Sequence, residues 1–164
     1  MNKTPNQAGF TLIELMVVVV IVSVLLASAV LSLKPNESAT LRQQTIAFKG
    51  ALIAMCDQAT FDQHIYALVP KKDGIEFFKL VDKQWQVADF FRNTDALQWN
   101  ENIKISWQLS KQLAKQYGLE SAGWLCWPSG EVKAGKIAFE LGETINQLSW
   151  NEILEFELTE KALN

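Results

Sequence analysis

The sequence predicts an α+β chain: one long N-terminal helix, apolar in its first half and amphipathic in its second, packed on a mostly antiparallel β-sheet domain. Three observations carry that prediction. An uncharged run extends from Leu15 to Leu33 and ends at Lys34. From Leu41 onward, apolar side chains recur in steps of four and three, the period of a helix with one buried face. From Ile65 the period shortens to two, and β-branched and aromatic residues gather between turn signals. The strands follow the helix in a run and do not alternate with further helices, which favours an α+β fold over βαβ units.

Residues 1–9 are polar, contain Pro5 and Gly9, and read as a leader without regular structure. Residues 11–34 read as helix. The uncharged run is close to the roughly 20 residues needed to cross about 30 Å of hydrocarbon, and such a span satisfies its backbone hydrogen bonds internally. Glu14 is the one carboxylate at its head. A charge costs roughly 2.5–3.5 kcal/mol at the centre of a membrane helix and less near the interface. Pro35 removes a donor and clashes with the preceding turn, so a kink near that residue is expected. Asn36 or Ser38 can cap the next segment, and Glu37 lies near its positive end. That segment, 37–60, carries Leu41, Thr45, Phe48, Leu52, Met55 and Ala59 as one stripe. Arg42, Gln43, Gln44, Lys49 and Asp57 fall mainly outside it. A Met and aromatic stripe at this spacing is core, and it is expected to pack on a sheet.

Ile65–Val69 and Ile75–Val81 read as a hairpin around the turn Lys71-Lys72-Asp73-Gly74. Asp82-Lys83 turns the chain into a third strand at Trp85–Val87. Residues 88–102, rich in Asp and Asn, read as a loop with a short helical piece. Ile103–Leu109 alternates as a strand should. Residues 111–123, with Lys, Gln and two Gly, read as an insertion. Trp124–Trp127, a Pro128-Ser129-Gly130 turn, Lys136–Leu141 and a last strand near Ile153–Leu158 complete the sheet.

A chain of 164 residues holds one modest domain and an anchor, and is too short for two large domains. Its net charge of −3 provides no basic footprint for nucleic acid. Cys56 and Cys126 are too far apart for a CxxC knuckle or redox pair. They are either a disulfide or two buried free thiols. His64 is the only histidine; beside Asp57 and Asp62 it suggests a ligand cluster, but a lone His at a helix end is more often a surface or capping residue. The Glu-rich segment Trp150–Glu157 reads as a strand with solvated carboxylates and not as a calcium cage. No phosphate loop, GxGxxG or HExxH is present, and Ser129 lacks the flanking pattern of a nucleophile elbow. Neither catalytic residues, nor a metal, nor a cofactor is expected.

The head of the chain, Gly9-Phe10-Thr11-Leu12-Ile13-Glu14, resembles the processing site of type IV pilins and of the pseudopilins of type II secretion. A polar leader ends in Gly; then come Phe, a Glu at the fifth position after the cut, and the uncharged run. A secretory signal has a shorter apolar core followed by a small-residue cleavage site. The resemblance implies cleavage between Gly9 and Phe10 by a prepilin peptidase, N-methylation of Phe10, and an assembly role for the Glu14 carboxylate opposite the new amino terminus of a neighbouring subunit. It also implies three regions: a leader at 1–9, a transmembrane and assembly helix at 10–34, and a globular domain at 35–164 that includes the 37–60 helix. The chain would be a single-pass inner-membrane protein with that domain in the periplasm, where a Cys56–Cys126 disulfide can persist. Lys3 before the span and Lys34 and Arg42 after it leave the positive-inside rule nearly silent, so the orientation rests on the resemblance.

Within that family the globular part is most similar to the minor pseudopilin H branch (GspH). The similarity is carried by Ile75–Val81 with Lys83-Gln84-Trp85-Gln86, then by Cys126-Trp127-Pro128-Ser129-Gly130 and Gly135-Lys136-Ile137-Ala138-Phe139. Pro supplies a fixed φ and Gly a permissive one between two β segments. The partners implied are other major and minor pseudopilins, the prepilin peptidase/N-methyltransferase and the inner-membrane secretion platform. The alternative within the family is a minor type IV pilin of the FimT/FimU kind; outside it, a membrane-tethered binding module.

Overall fold

The structure is a computed structural model that describes residues 12–32, 37–89 and 98–162. It divides into two compact units that meet between Asn36 and Glu37. The first contains helix α1 (Leu12–Ser32). The second contains helix α2 (Glu37–Asp62), strands β1 (Tyr66–Pro70), β2 (Ile75–Val81), β3 (Gln84–Val87) and β4 (Lys104–Trp107), helix α3 (Lys111–Tyr117), and strands β5 (Trp124–Cys126), β6 (Gly135–Leu141), β7 (Thr144–Trp150) and β8 (Phe156–Ala162). The fold class is α+β, and every strand pair is antiparallel. The kink expected near Pro35 lies outside the described residues.

The strands form two four-stranded sheets, ordered β3-β2-β1-β5 and β4-β6-β7-β8. One sheet was expected; two form because β7 pairs with β6 and β8 and not with the first hairpin. Helix α2 packs on β1 and β5 of the first sheet and on β6 and β7 of the second. All six residues of the predicted stripe are buried: Leu41, Thr45, Phe48, Leu52, Met55 and Ala59. Phe48 is the centre of the contact. Its ring lies 5.4 Å from Trp124 on the first sheet, and 6.1 and 5.7 Å from Phe139 and Trp150 on the second.

Turn chemistry sets the registers. Lys71 N–H donates to the Gly74 carbonyl at 2.8 Å, and Pro70 pairs with Ile75. Asp82 and Lys83 both take positive φ, 50° and 64°, between the paired residues Val81 and Gln84. That is the mirror-image turn whose twist suits a two-residue hairpin. Gly135 begins β6 because no side chain fits there. A Cβ would strike the Trp124 indole nitrogen and lie 2.7 Å from Trp150 Cζ2.

Three elements differ from the sequence reading. Residues 111–117 are a helix, capped by the Ser110 hydroxyl accepting from Leu113 N–H and closed by Gly118 at φ 68°. The short helical piece expected within 88–102 lies outside the described residues, which omit 90–97. The segment 98–100 is clamped: Trp99 N–H donates to the Asp73 carbonyl at 2.9 Å, and its indole to the Lys71 carbonyl at 2.9 Å. Gln44, placed off the stripe, is buried and holds this clamp, donating to the Gln98 carbonyl and accepting from Asn100 N–H. Strand β7 was missed because Asn146 occupies an inward position while Ile145 points out, which inverts the expected alternation. The last strand then begins at Phe156, and Asn151–Glu155 is a turn organised by Asn151 Oδ1, which accepts from Ile153 N–H and Glu155 N–H.

Removing the Phe48 ring leaves a cavity between both sheets, so Phe48→Ala is expected to cost about 3–5 kcal/mol in unfolding free energy. Ile46→Ala, on the exposed side of the same helix, should stay within about 0.5 kcal/mol. Denaturant titration of both variants checks the assignment of the buried face.

Candidate functional site

Helix α1 presents apolar side chains on every side. Leu12, Ile13, Leu15, Met16 and the run Val17–Val22 are all between 46% and 79% exposed. A helix that is hydrophobic all round, with no polar face, needs lipid or other helices around it. Ser23 returns its hydroxyl to the Val19 carbonyl at 2.7 Å, which satisfies its one donor within the helix. Glu14 lies in the first turn and is the helix's acidic residue there. Carboxylates are favoured at this end, where the helix dipole is positive. Among the described residues no helix is long and apolar enough to cross a membrane. Gly9 and Phe10 lie outside the described residues.

The second unit holds the remaining candidates. Cys56 on α2 and Cys126 on β5 are joined by a disulfide, with Cα atoms 5.3 Å apart. The bond ties the helix to the first sheet from within the core, both residues being almost fully buried. His64 follows α2, and its Nδ1 is hydrogen-bonded to the Asp62 carbonyl. A carbonyl only accepts, so the Nδ1 proton makes this bond. Among the described residues, no group of three His, Cys, Asp or Glu side chains is placed to hold a metal. Ser129 occupies the expected turn: Gly130 N–H donates to the Trp127 carbonyl at 2.9 Å with Gly130 at φ 84°.

Sequence spacing gave no hint of the charged cluster at the end of α2. Lys79 Nζ donates to Asp62 Oδ2 at 2.7 Å, the Tyr66 hydroxyl donates to the same oxygen, and Gln58 Nε2 donates to Oδ1 at 3.0 Å. The Lys79 hydrogen bond, followed by that of Tyr66, holds the Asp62 carboxyl down to about 2. Burial, reinforced by the Asp62 hydrogen bond, pushes the Tyr66 hydroxyl well above its usual range. Both oxygens of the Asp62 carboxylate accept bonds within the cluster, which fastens α2 to β1 and β2.

Comparison with known proteins bears on the two units separately. Residues 4–30 match the family described as "Prokaryotic N-terminal methylation motif". The fold is similar to that of the minor pseudopilin EpsH from the Type 2 Secretion System of Vibrio cholerae. One EpsH structure is 15% identical, with a TM-score of 0.56, and covers 73% of this chain and 95% of that one. A second is 17% identical, with a TM-score of 0.54, and covers 76% and 95%. No curated protein matches the sequence.

Two outcomes are expected for the fastenings of α2. Because the Asp62 carboxyl is lowered in the folded state, its contribution is present above its unfolded value near 3.8 and is lost as pH falls towards about 2. The loss is on the order of 2 kcal/mol, and Asp62→Asn should flatten that window in acid titrations of stability. Parallel wild-type and variant curves would show the carboxylate to be unlinked. Reduction of Cys56–Cys126 should lower unfolding free energy by about 2–5 kcal/mol, read from denaturant curves with and without a thiol reductant.

Proposed function

We propose that this chain is a minor pseudopilin of a type II secretion system, a structural subunit of the periplasmic pseudopilus that drives protein export across the outer membrane. Its N-terminal motif and its fold are those of the type IV pilin and pseudopilin family. The observation that carries the finer reading is their combination in one chain: a prepilin methylation head followed by a globular unit whose fold is similar to that of EpsH. The head alone is common to pili and pseudopili. The globular unit favours secretion over a minor type IV pilin.

In this reading a prepilin peptidase cuts after Gly9, where an absent side chain leaves the backbone accessible, and Phe10 becomes the methylated amino terminus. The apolar helix of residues 10–34 anchors the protein in the inner membrane, and the disulfide-tied unit lies in the periplasm. Glu14 is about 6 Å along the helix from Phe10. In a bundle of axially staggered helices its carboxylate meets the amino terminus of the next subunit. An unpartnered charge in that apolar setting is costly, so the pair selects one register among many that apolar packing alone would allow. The role assigned to the chain is structural, with other pseudopilins and the inner-membrane platform as partners.

Intact-mass measurement of membrane-extracted protein should show a chain beginning at a methylated Phe10. A mature protein that retains Met1–Gly9 contradicts the reading. Glu14→Ala should keep insertion and cleavage but lose crosslinking to neighbouring pseudopilins and, with it, secretion; Glu14→Asp should be intermediate because the charge survives with a shorter reach. Wild-type crosslinking by Glu14→Ala removes the assembly role.

A further inference from the structure

The first sheet has two apolar faces. One meets α2. The other carries a second core of Ala67, Val69 and Leu125 with Ala114 and Leu119, covered by α3. The cover is incomplete. Between the β2–β3 hairpin and the 118–121 loop runs an open groove of about 390 Å³, with Val69, Phe78, Trp85 and Leu119 among its apolar lining. That volume falls within the range of built ligand clefts, roughly 300–1,000 Å³. Lys71 and Lys83 also line it. They lie beyond opposite ends of β2.

The walls are held in place before any ligand arrives. Gly118 closes α3 in the left-handed region, and Leu119 N–H returns to the Ala114 carbonyl at 2.9 Å. The loop ends at Gly123, where a Cβ would lie 2.7 Å from the Leu68 carbonyl oxygen. Trp85 is fixed by its indole, which donates to the Tyr117 carbonyl at 2.8 Å. Pre-organised walls reduce the ordering cost of binding.

The charges indicate the occupant. Lys83 makes no ion pair among the described residues, and it stands at φ 64°, where Gly or Asn fits more easily. Lys71 pairs with Glu76 at 3.1 Å, with both side chains about half exposed, and its Nζ lies 5.9 Å from the centroid of the Phe78 ring. Such a surface pair is worth little and is readily exchanged. A groove with a cation towards each end is set into a chain of net charge −3. One anion, Glu120, lines the loop side.

We propose that this groove is a docking site for a short extended acidic peptide segment of a partner protein. Apolar side chains of the segment rest on Phe78 and Trp85, and a carboxylate at each end meets Lys71 and Lys83. The site does not depend on the assembly role of Glu14, which lies in the other unit.

The test uses the full chain in detergent micelles and two fluorescein-labelled, C-terminally amidated probes, Glu-Asp-Phe-Leu-Asp-Glu and Lys-Lys-Phe-Leu-Lys-Lys, followed by anisotropy. The acidic probe should bind saturably and the basic one should not. The double variant Lys71→Glu, Lys83→Glu should weaken binding about tenfold, the scale of two partly exposed ion pairs. Ser121→Trp, at an exposed wall position, should block the groove while thermal unfolding stays unchanged. Equal binding of both probes, or undiminished binding by both variants, overturns the proposal. Concentration-dependent self-association abolished by the same substitutions also overturns it, because the occupant would then be a second copy of this chain.

Discussion

The globular unit depends on one packing constraint: both sheets must bury their inner faces against the same helix. Among the described residues they share no strand ladder. What joins them is α2, and Phe48 is the point of junction, because its ring touches Trp124 on one side and Phe139 and Trp150 on the other. The cluster explains the abundance of Trp and Phe in a chain of this size. Aromatic rings bury large areas and favour edge-on contacts, so a few of them can fill the wedge where three elements converge. Trp124 and Trp150 meet edge to face at 5.2 Å, and β6 passes them only because Gly135 has no side chain.

Around this junction the polar fastenings are local and distributed. The disulfide holds the last third of α2 to β5. The Asp62 cluster holds its C-terminal end to β1 and β2. Gln44 holds the 98–100 segment against its first half. At the start of the helix, the Glu37 carboxylate lies where a Cβ on Gly142 would be, so the β6–β7 turn approaches the helix closely. Apolar burial supplies the driving force, but it is non-directional; these bonds select one rotation and one height of the helix on the sheets.

The two units face opposite demands. The globular unit hides its apolar groups on α2 and under α3, whereas α1 displays them on all sides. A helix that is apolar on every side needs lipid or other helices around it. Its head carries one carboxylate, Glu14, in the first turn. The folded unit leaves an open groove between the β2–β3 hairpin and the 118–121 loop.

By itself, the sequence determined the features that a local period or a single residue encodes. The uncharged run set α1. The steps of four and three picked out the centre of the buried face of α2, from Leu41 to Ala59, and left Gln44, Ala51 and Cys56 at its margins. Alternation and turn residues located β1, β2 and β3. The head motif around Gly9, Phe10 and Glu14 was readable because its spacing is strict. Helix α3 was legible in principle from Ser110 and Gly118, the cap residues at its two ends. Tertiary structure alone decided how strands were shared between two sheets, since pairing partners are set by which faces α2 can cover. It placed Asn146 inward against its polarity and Gln44 in the core, because each completes a surface built by distant residues. It brought Asp62 to Lys79 and Cys56 to Cys126 for the same reason. Contacts between residues far apart in sequence leave no period to read; they exist only once the helix has been seated between the sheets.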